Sequence, residues 1–104
     1  MASSPELQTL RNQLTEALIV RCREEIGKPR DITPDTDPCR QLGICEEDLD
    51  EVQIDAAARL GLRLPYPGEP LIVPWRGPND GMNIAELAGW IAVNARPAEA
   101  EAER

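Results

Sequence analysis

The stretch LGICEEDLDEV, residues 42–52, marks the point at which a loop turns into a helix. Gly43 suits the end of a preceding turn, because glycine readily adopts the left-handed conformation found there. Beyond it the apolar residues recur at helical spacing, which predicts a long helix from about Glu46 to Leu60, with Gly61 as its terminator. The inward face of this helix would consist of Leu49, Val52, Ala56, Ala57 and Leu60.

Another long helix is expected before this stretch, near residues 5–26. Ser4 can cap its free amides, Pro5 is tolerated in its first turn, and Gly27 suits its end. Its apolar residues fall at spacings of three and four and so form one stripe: Leu7, Leu10, Leu14, Leu18, Cys22 and Ile26.

The two connections between the long helices differ in character. In the first, Thr36 or Asp37 before Pro38 should open a single helical turn. In the second, from Pro65 to Gly81, five of the ten prolines and three of the seven glycines exclude a continuous helix. Within this Pro-rich segment, residues 71–73 are expected to lie as a short extended piece over the helices.

The last helix is expected near residues 83–95. Asn83, with Glu86 three positions later, is typical of a capping box at a helix start. The apolar stripe of this helix is Ile84, Leu87, Ala88, Ile91 and Ala95. The acidic tail that follows, residues 97–104, is expected to be disordered, which leaves a single folded domain over residues 1–96.

Composition favours the same all-α class. A chain of 104 residues has room for one core, and with only 3% aromatic residues that core must come from Leu, Ile, Val and Ala on amphipathic helices. The two tryptophans, Trp75 and Trp90, are expected at the core edge. The predicted fold is a small up-and-down bundle of three main helices, with a short turn and a Pro-rich loop.

The net charge of −8 limits the possible partners. An acidic surface repels phosphate groups, so nucleic acid and anionic membranes are excluded as expected ligands, and basic protein surfaces are favoured. Three cysteines, an odd number without CxxC spacing, together with an N-terminus unlike a signal peptide, predict free thiols and a cytoplasmic location. A monomer is expected.

The loop and second helix resemble those of acyl carrier proteins. Ile32-Thr33-Pro34-Asp35-Thr36 followed by Leu42-Gly43 looks like the ITPDT…LG loop of that family, at the family's spacing. Gly61-Leu62-Arg63-Leu64-Pro65 is similar to the exit of the carrier's recognition helix. The resemblance covers roughly residues 6–95 and implies a small acyl-carrier-like helical bundle.

The residue that defines a conventional carrier is missing. Counted without gaps from Leu42-Gly43, the family's modified serine falls on Glu46; shifted by two residues to match the helix, it falls on Asp48. The only serines are Ser3 and Ser4. The resemblance is therefore to a divergent bacterial branch that lacks the phosphopantetheine serine, and no phosphopantetheine or other cofactor is expected. Two further departures are Pro38, where the family usually has an apolar anchor, and the length of the Pro-rich segment.

An acidic cluster on the second long helix is the candidate partner-binding site. It comprises Glu46, Glu47, Asp48, Asp50, Glu51 and Asp55. Acids in a first turn also interact favourably with the helix dipole, and each stabilises the helix by about 0.3–1 kcal/mol. That effect fades within a turn and does not reach Asp55. In carriers, acids along this helix are what basic patches on partner enzymes recognise. We therefore expect a non-enzymatic module that docks a basic protein surface, an enzyme of acyl metabolism being one candidate.

Catalysis and metal binding are not expected. With no histidine to act as a base, and carboxylates beside it, Cys45 is a poor nucleophile. The acidic run lacks the glycine and the alternation of a calcium loop. The alternative function is an atypical carrier in fatty acid or polyketide-type metabolism, with Cys45 as its attachment point. Cys39 and Cys45 could pair under oxidation, although a cytoplasmic location argues against it.

Overall fold

The computed structural model describes residues 5–75 and 81–98, and these form a small, mainly helical domain. The elements are α1 (Pro5–Ile26), α2 (Pro38–Leu42), α3 (Glu46–Ala58), β1 (Leu62–Arg63), α4 (Ile84–Asn94) and β2 (Arg96–Pro97). The helical class predicted from composition is confirmed. Ser4, the expected cap of the first helix, and Ser3 lie outside the described residues. No helix in the described part has the length and apolar character needed to cross a membrane.

Helix α1 is the centre of the domain, because it packs against both α3 and α4, and most extensively against α4. The apolar stripes read from the sequence meet in this core. Its buried apolar side chains are Leu14, Leu18, Ile19, Cys22, Ile32, Ile44, Leu49, Val52, Ala56, Ala57, Met82, Ile84, Leu87, Ala88 and Ile91. Leu10, Ile26 and Leu60, also assigned to the stripes, are only partly buried.

The single helical turn expected before Gly43 is α2. The Asp37 carboxylate caps it by accepting hydrogen bonds from the backbone N–H groups of Cys39 and Arg40, each at 3.1 Å. Gly43, with φ of 74°, ends it in the left-handed conformation. The end at Gly43 was predicted from local sequence, and of the two possible caps, Thr36 and Asp37, the structure uses Asp37.

The loop before α2 holds the start of α4. The backbone N–H of Ile84 donates to the Thr36 carbonyl at 3.0 Å, and that of Ala85 donates to the Pro34 carbonyl at 2.9 Å. The first amides of a helix lack partners inside the helix, and here the loop provides two acceptors. Asn83 and Glu86 form the predicted capping box. The ITPDT segment therefore fixes α4 to the rest of the domain.

Helix α1 spans the predicted residues 5–26, whereas the other two main helices are slightly shorter than predicted. Helix α3 ends at Ala58 rather than Leu60, and α4 ends at Asn94. The chain beyond α4 then pairs antiparallel with the chain beyond α3, with Leu62 opposite Pro97. The N–H of Ala98 also donates to the Gly61 carbonyl at 3.0 Å. Pro97 and Ala98, which the sequence interpretation assigned to a disordered tail, thus belong to the folded domain; residues 99–104 lie outside the described residues.

The prediction of free thiols was wrong for two of the three cysteines. Cys39 and Cys45 form a disulfide, with their Cα atoms 4.5 Å apart. The left-handed Gly43 reverses the chain between α2 and α3 and so brings the two residues together. Cys22 is the free, buried cysteine, and burial raises the pKa of its thiol to about 11. In this state Cys45 has no thiol to which a group could be attached.

Candidate docking surface

Five carboxylates project from the first two turns of α3. We call the exposed residues Glu46, Glu47, Asp48, Asp50 and Glu51 the acidic surface. Within residues 5–75 and 81–98, none of the five forms an ion pair. Glu47 and Glu51, one turn apart, repel each other by about 0.2–0.5 kcal/mol. A cationic partner that covered this surface would offset the repulsion between its carboxylates.

The acidic surface begins at an unusual backbone position. Glu46, one of the two candidates for the missing serine position, has φ of 51°, the left-handed region in which non-glycine residues are uncommon. Cys45 before it is extended and provides no side-chain cap. The disulfide to Cys39 and the burial of Ile44 hold this turn in place. The start of α3 is therefore fixed by its neighbours rather than by a capping side chain.

Asp55, the sixth predicted site residue, forms an ion pair with another helix of the domain. Its carboxylate accepts a hydrogen bond from Arg21 Nε of α1 at 2.8 Å, and Arg21 Nη1 also donates to Glu25 at 3.0 Å. The bond to Asp55 is the main cause that raises the pKa of Arg21, and burial opposes it. Arg59, just beyond α3, pairs with Glu24 in the same way. Asp55 thus joins α3 to α1, while its half-exposed side chain keeps its assignment to the partner-facing acids a prediction.

The Pro-rich segment is attached to α4 through its backbone. Asn94 is buried; its Oδ1 accepts from the N–H of Ile72 at 2.7 Å, and its Nδ2 donates to the carbonyl of Val73 at 3.1 Å. Trp90 Nε1 donates to the same Val73 carbonyl at 2.8 Å. Residues 71–73 therefore lie over α4 as expected, but the chain bends at Ile72 and Val73 instead of being extended. Side chains that the apolar pattern did not single out hold this piece in place.

The two tryptophans lie together, but only one lies at the core edge. Trp90 is partly buried against the core, as predicted, whereas Trp75 is 37% exposed. Their rings meet edge to face with centroids 5.0 Å apart, a favourable aromatic geometry. Leu71, Ile72 and Val73 are also exposed. The Pro-rich segment thus presents an apolar surface to solvent.

The turn at residues 66–69 is fixed by one carboxylate. Glu69 accepts hydrogen bonds from Arg63 Nη1 at 2.9 Å and from the backbone N–H of Tyr66 at 2.6 Å. Arg96 Nε lies 3.8 Å from its other oxygen. The hydrogen bond from Arg63, then that from Tyr66, lowers the pKa of Glu69 to about 2. This set of contacts, the Glu69 clasp, joins the turn to both short strands.

No group of three or more His, Cys, Asp or Glu side chains in the described part of the chain is arranged to hold a metal ion. Comparison with known protein families, with curated proteins and with solved structures finds no match to this chain. The likeness to acyl carriers therefore continues to rest on the loop and helix residues quoted above.

Proposed function

We propose that this chain is a non-enzymatic, acyl-carrier-like binding module that docks a basic protein through α3 and carries no phosphopantetheine arm. The acidic surface is the observation that carries the proposal: five exposed carboxylates on one helix, none of which forms an ion pair among the described residues. Both positions at which a carrier's serine would fall hold a carboxylate, Glu46 or Asp48. An enzyme of acyl metabolism remains our candidate partner.

The alternative of an atypical carrier loaded on Cys45 has less support. A covalent attachment needs a thiolate, and the sulfur of Cys45 is bonded to that of Cys39. We therefore carry forward the docking proposal alone.

Charge reversal tests the proposal. Glu47→Lys with Glu51→Lys should weaken binding to the basic partner at least tenfold and remove most of its salt dependence, because the association rate depends on the acidic surface. Stability should change by less than about 1 kcal/mol, because both residues are exposed and neither has an ion-pair partner within residues 5–75 and 81–98. Binding would be measured by surface plasmon resonance at several salt concentrations.

A matched control distinguishes the effect of the acidic surface on binding from the effect of the net charge. Glu16 and Asp31 are exposed acids outside α3 without a described ion pair, and reversing both changes the net charge by the same amount. The control should bind like the wild type, apart from a small loss through long-range repulsion. Equal weakening in both double variants would show that total charge, not the acidic surface, governs binding.

A further inference from the structure

A cleft adjoins the acidic surface, between α3, the turn at residues 64–69 and the two tryptophans. Its volume is about 480 Å³, within the roughly 300–1,000 Å³ typical of small-ligand sites. The apolar walls come from Leu64, Tyr66, Leu71, Trp75 and Trp90. Asp50 and Gln53 of α3 form the polar side of the cleft.

Gln53 is a buried polar side chain with an unused acceptor. It is 2% exposed, and its Nε2 donates to the Leu49 carbonyl at 3.4 Å. Its Oε1 has no hydrogen-bond partner within the described part of the chain. A buried carbonyl oxygen without a donor destabilises the folded protein, so a donor that reached this oxygen from the cleft would recover part of the loss.

Asp50 gives the cleft a negative charge that no ion pair among the described residues compensates. It lies three residues before Gln53, which places both on one side of α3. The other carboxylate in the lining, Glu69, is neutralised by Arg63 and Arg96 through the Glu69 clasp. A ligand that suits this cleft has a positive charge, several N–H donors and a flat apolar face.

We propose that the cleft takes an arginine side chain of the partner that docks on the acidic surface; this inference rests on the proposed function. The guanidinium would donate to Asp50 and Gln53, while its plane packs against Trp75 and Trp90. Arginine fits better than lysine because its guanidinium is planar, weakly hydrated and stacks on aromatic rings. The chain already uses this contact once, since the guanidinium of Arg63 lies 4.2 Å from the ring centroid of Tyr66.

Three short lysine-rich peptides test the inference. They are identical except for a central arginine, lysine or citrulline, the last having nearly the shape of arginine without its charge. Trp75 and Trp90 are the only tryptophans and both line the cleft, so their fluorescence reports its occupation directly. The arginine peptide should bind at least fivefold more tightly than the other two and should change the emission spectrum.

Two variants assign the effect to the cleft. Gln53→Leu and Asp50→Asn should each reduce the preference for arginine to less than twofold, while salt-dependent binding of all three peptides persists. Asp50 is exposed, so Asp50→Asn leaves folding intact even if Gln53→Leu perturbs the core; thermal melts monitor both.

The outcomes distinguish the two proposals. Equal binding of the three peptides to the wild-type protein would overturn the cleft assignment and leave the acidic surface as the docking site. A lysine peptide that binds as tightly as the arginine peptide would overturn the assignment to arginine. Absence of binding by any peptide at low salt would contradict the proposed function itself.

Discussion

Asp55 and Glu51 are both acids on α3, but their surroundings separate their roles. Asp55 holds Arg21, whose side chain is only 14% exposed, whereas Glu51 has no ion pair among the described residues. Replacing Asp55 by alanine leaves Arg21 paired with Glu25 alone and should destabilise the domain by about 1 kcal/mol, since half of the Asp55 side chain is in solvent.

Glu51→Ala is the control for this prediction. It removes one charge from the same helix without breaking a described contact, so its free energy of unfolding should lie within about 0.5 kcal/mol of the wild-type value. Urea unfolding followed by circular dichroism measures both variants. Equal stability of the two variants would show that the ion pair between Asp55 and Arg21 does not help to join α1 and α3.

At this scale the sequence predicts only part of the site. It identifies the charge of the acidic surface, because the five acids at the start of α3 are visible in the sequence itself. It does not reveal that Asp55 faces a cation, since Arg21 lies 34 residues earlier in the chain. Gln53 could have been noticed: it falls between Leu49 and Ala56 on the apolar stripe, where a polar residue is unusual.

Among the elements, the turn at residues 66–69 should respond to acid. The clasp lowers the pKa of Glu69 from 4.5 to about 2 in the folded protein. A carboxyl group whose pKa falls on folding stabilises the folded state above its unfolded pKa and loses this contribution as pH falls toward its folded pKa. The clasp should therefore contribute fully above about pH 5 and vanish near pH 2.

Glu69→Gln is the variant that measures this contribution. The difference in unfolding free energy between wild type and variant should be largest above pH 5 and shrink steadily as the pH is lowered to 2. Urea titrations at several pH values, followed by tryptophan fluorescence, provide the data. A difference that stays constant over this range would show that the carboxylate charge is not what holds the turn.

The elements differ in how far the sequence predicted them. Helix α2 and the start of α4 were predicted because their caps are local: Asp37, Gly43 and the pair Asn83 and Glu86 act within a few residues. The β1–β2 pair escaped prediction, because two strands of two residues have no periodicity to detect. The disulfide was noticed as a pairing but rejected on an argument about location, which residue spacing cannot decide.

In the whole molecule, α1 holds α3 and α4 together, and the Pro-rich segment covers part of α4 through Asn94 and Trp90. The cleft exists only because this segment, the turn at residues 64–69 and α3 meet. No single stretch of sequence contains it. The fold class was therefore predictable from composition and helical spacing, whereas the cleft became visible only in three dimensions.

Amide shift mapping by NMR tests whether a basic partner docks on the acidic surface. Isotope-labelled wild-type protein would be titrated with the arginine-containing basic peptide, and the backbone amides and both indole N–H groups would be followed. We predict shifts concentrated in residues 46–53 and at Trp75 and Trp90, with those around Glu16 on α1 unchanged. Shifts spread evenly over the acidic residues of the chain, or confined to α1, would show that the acidic surface is not the docking site.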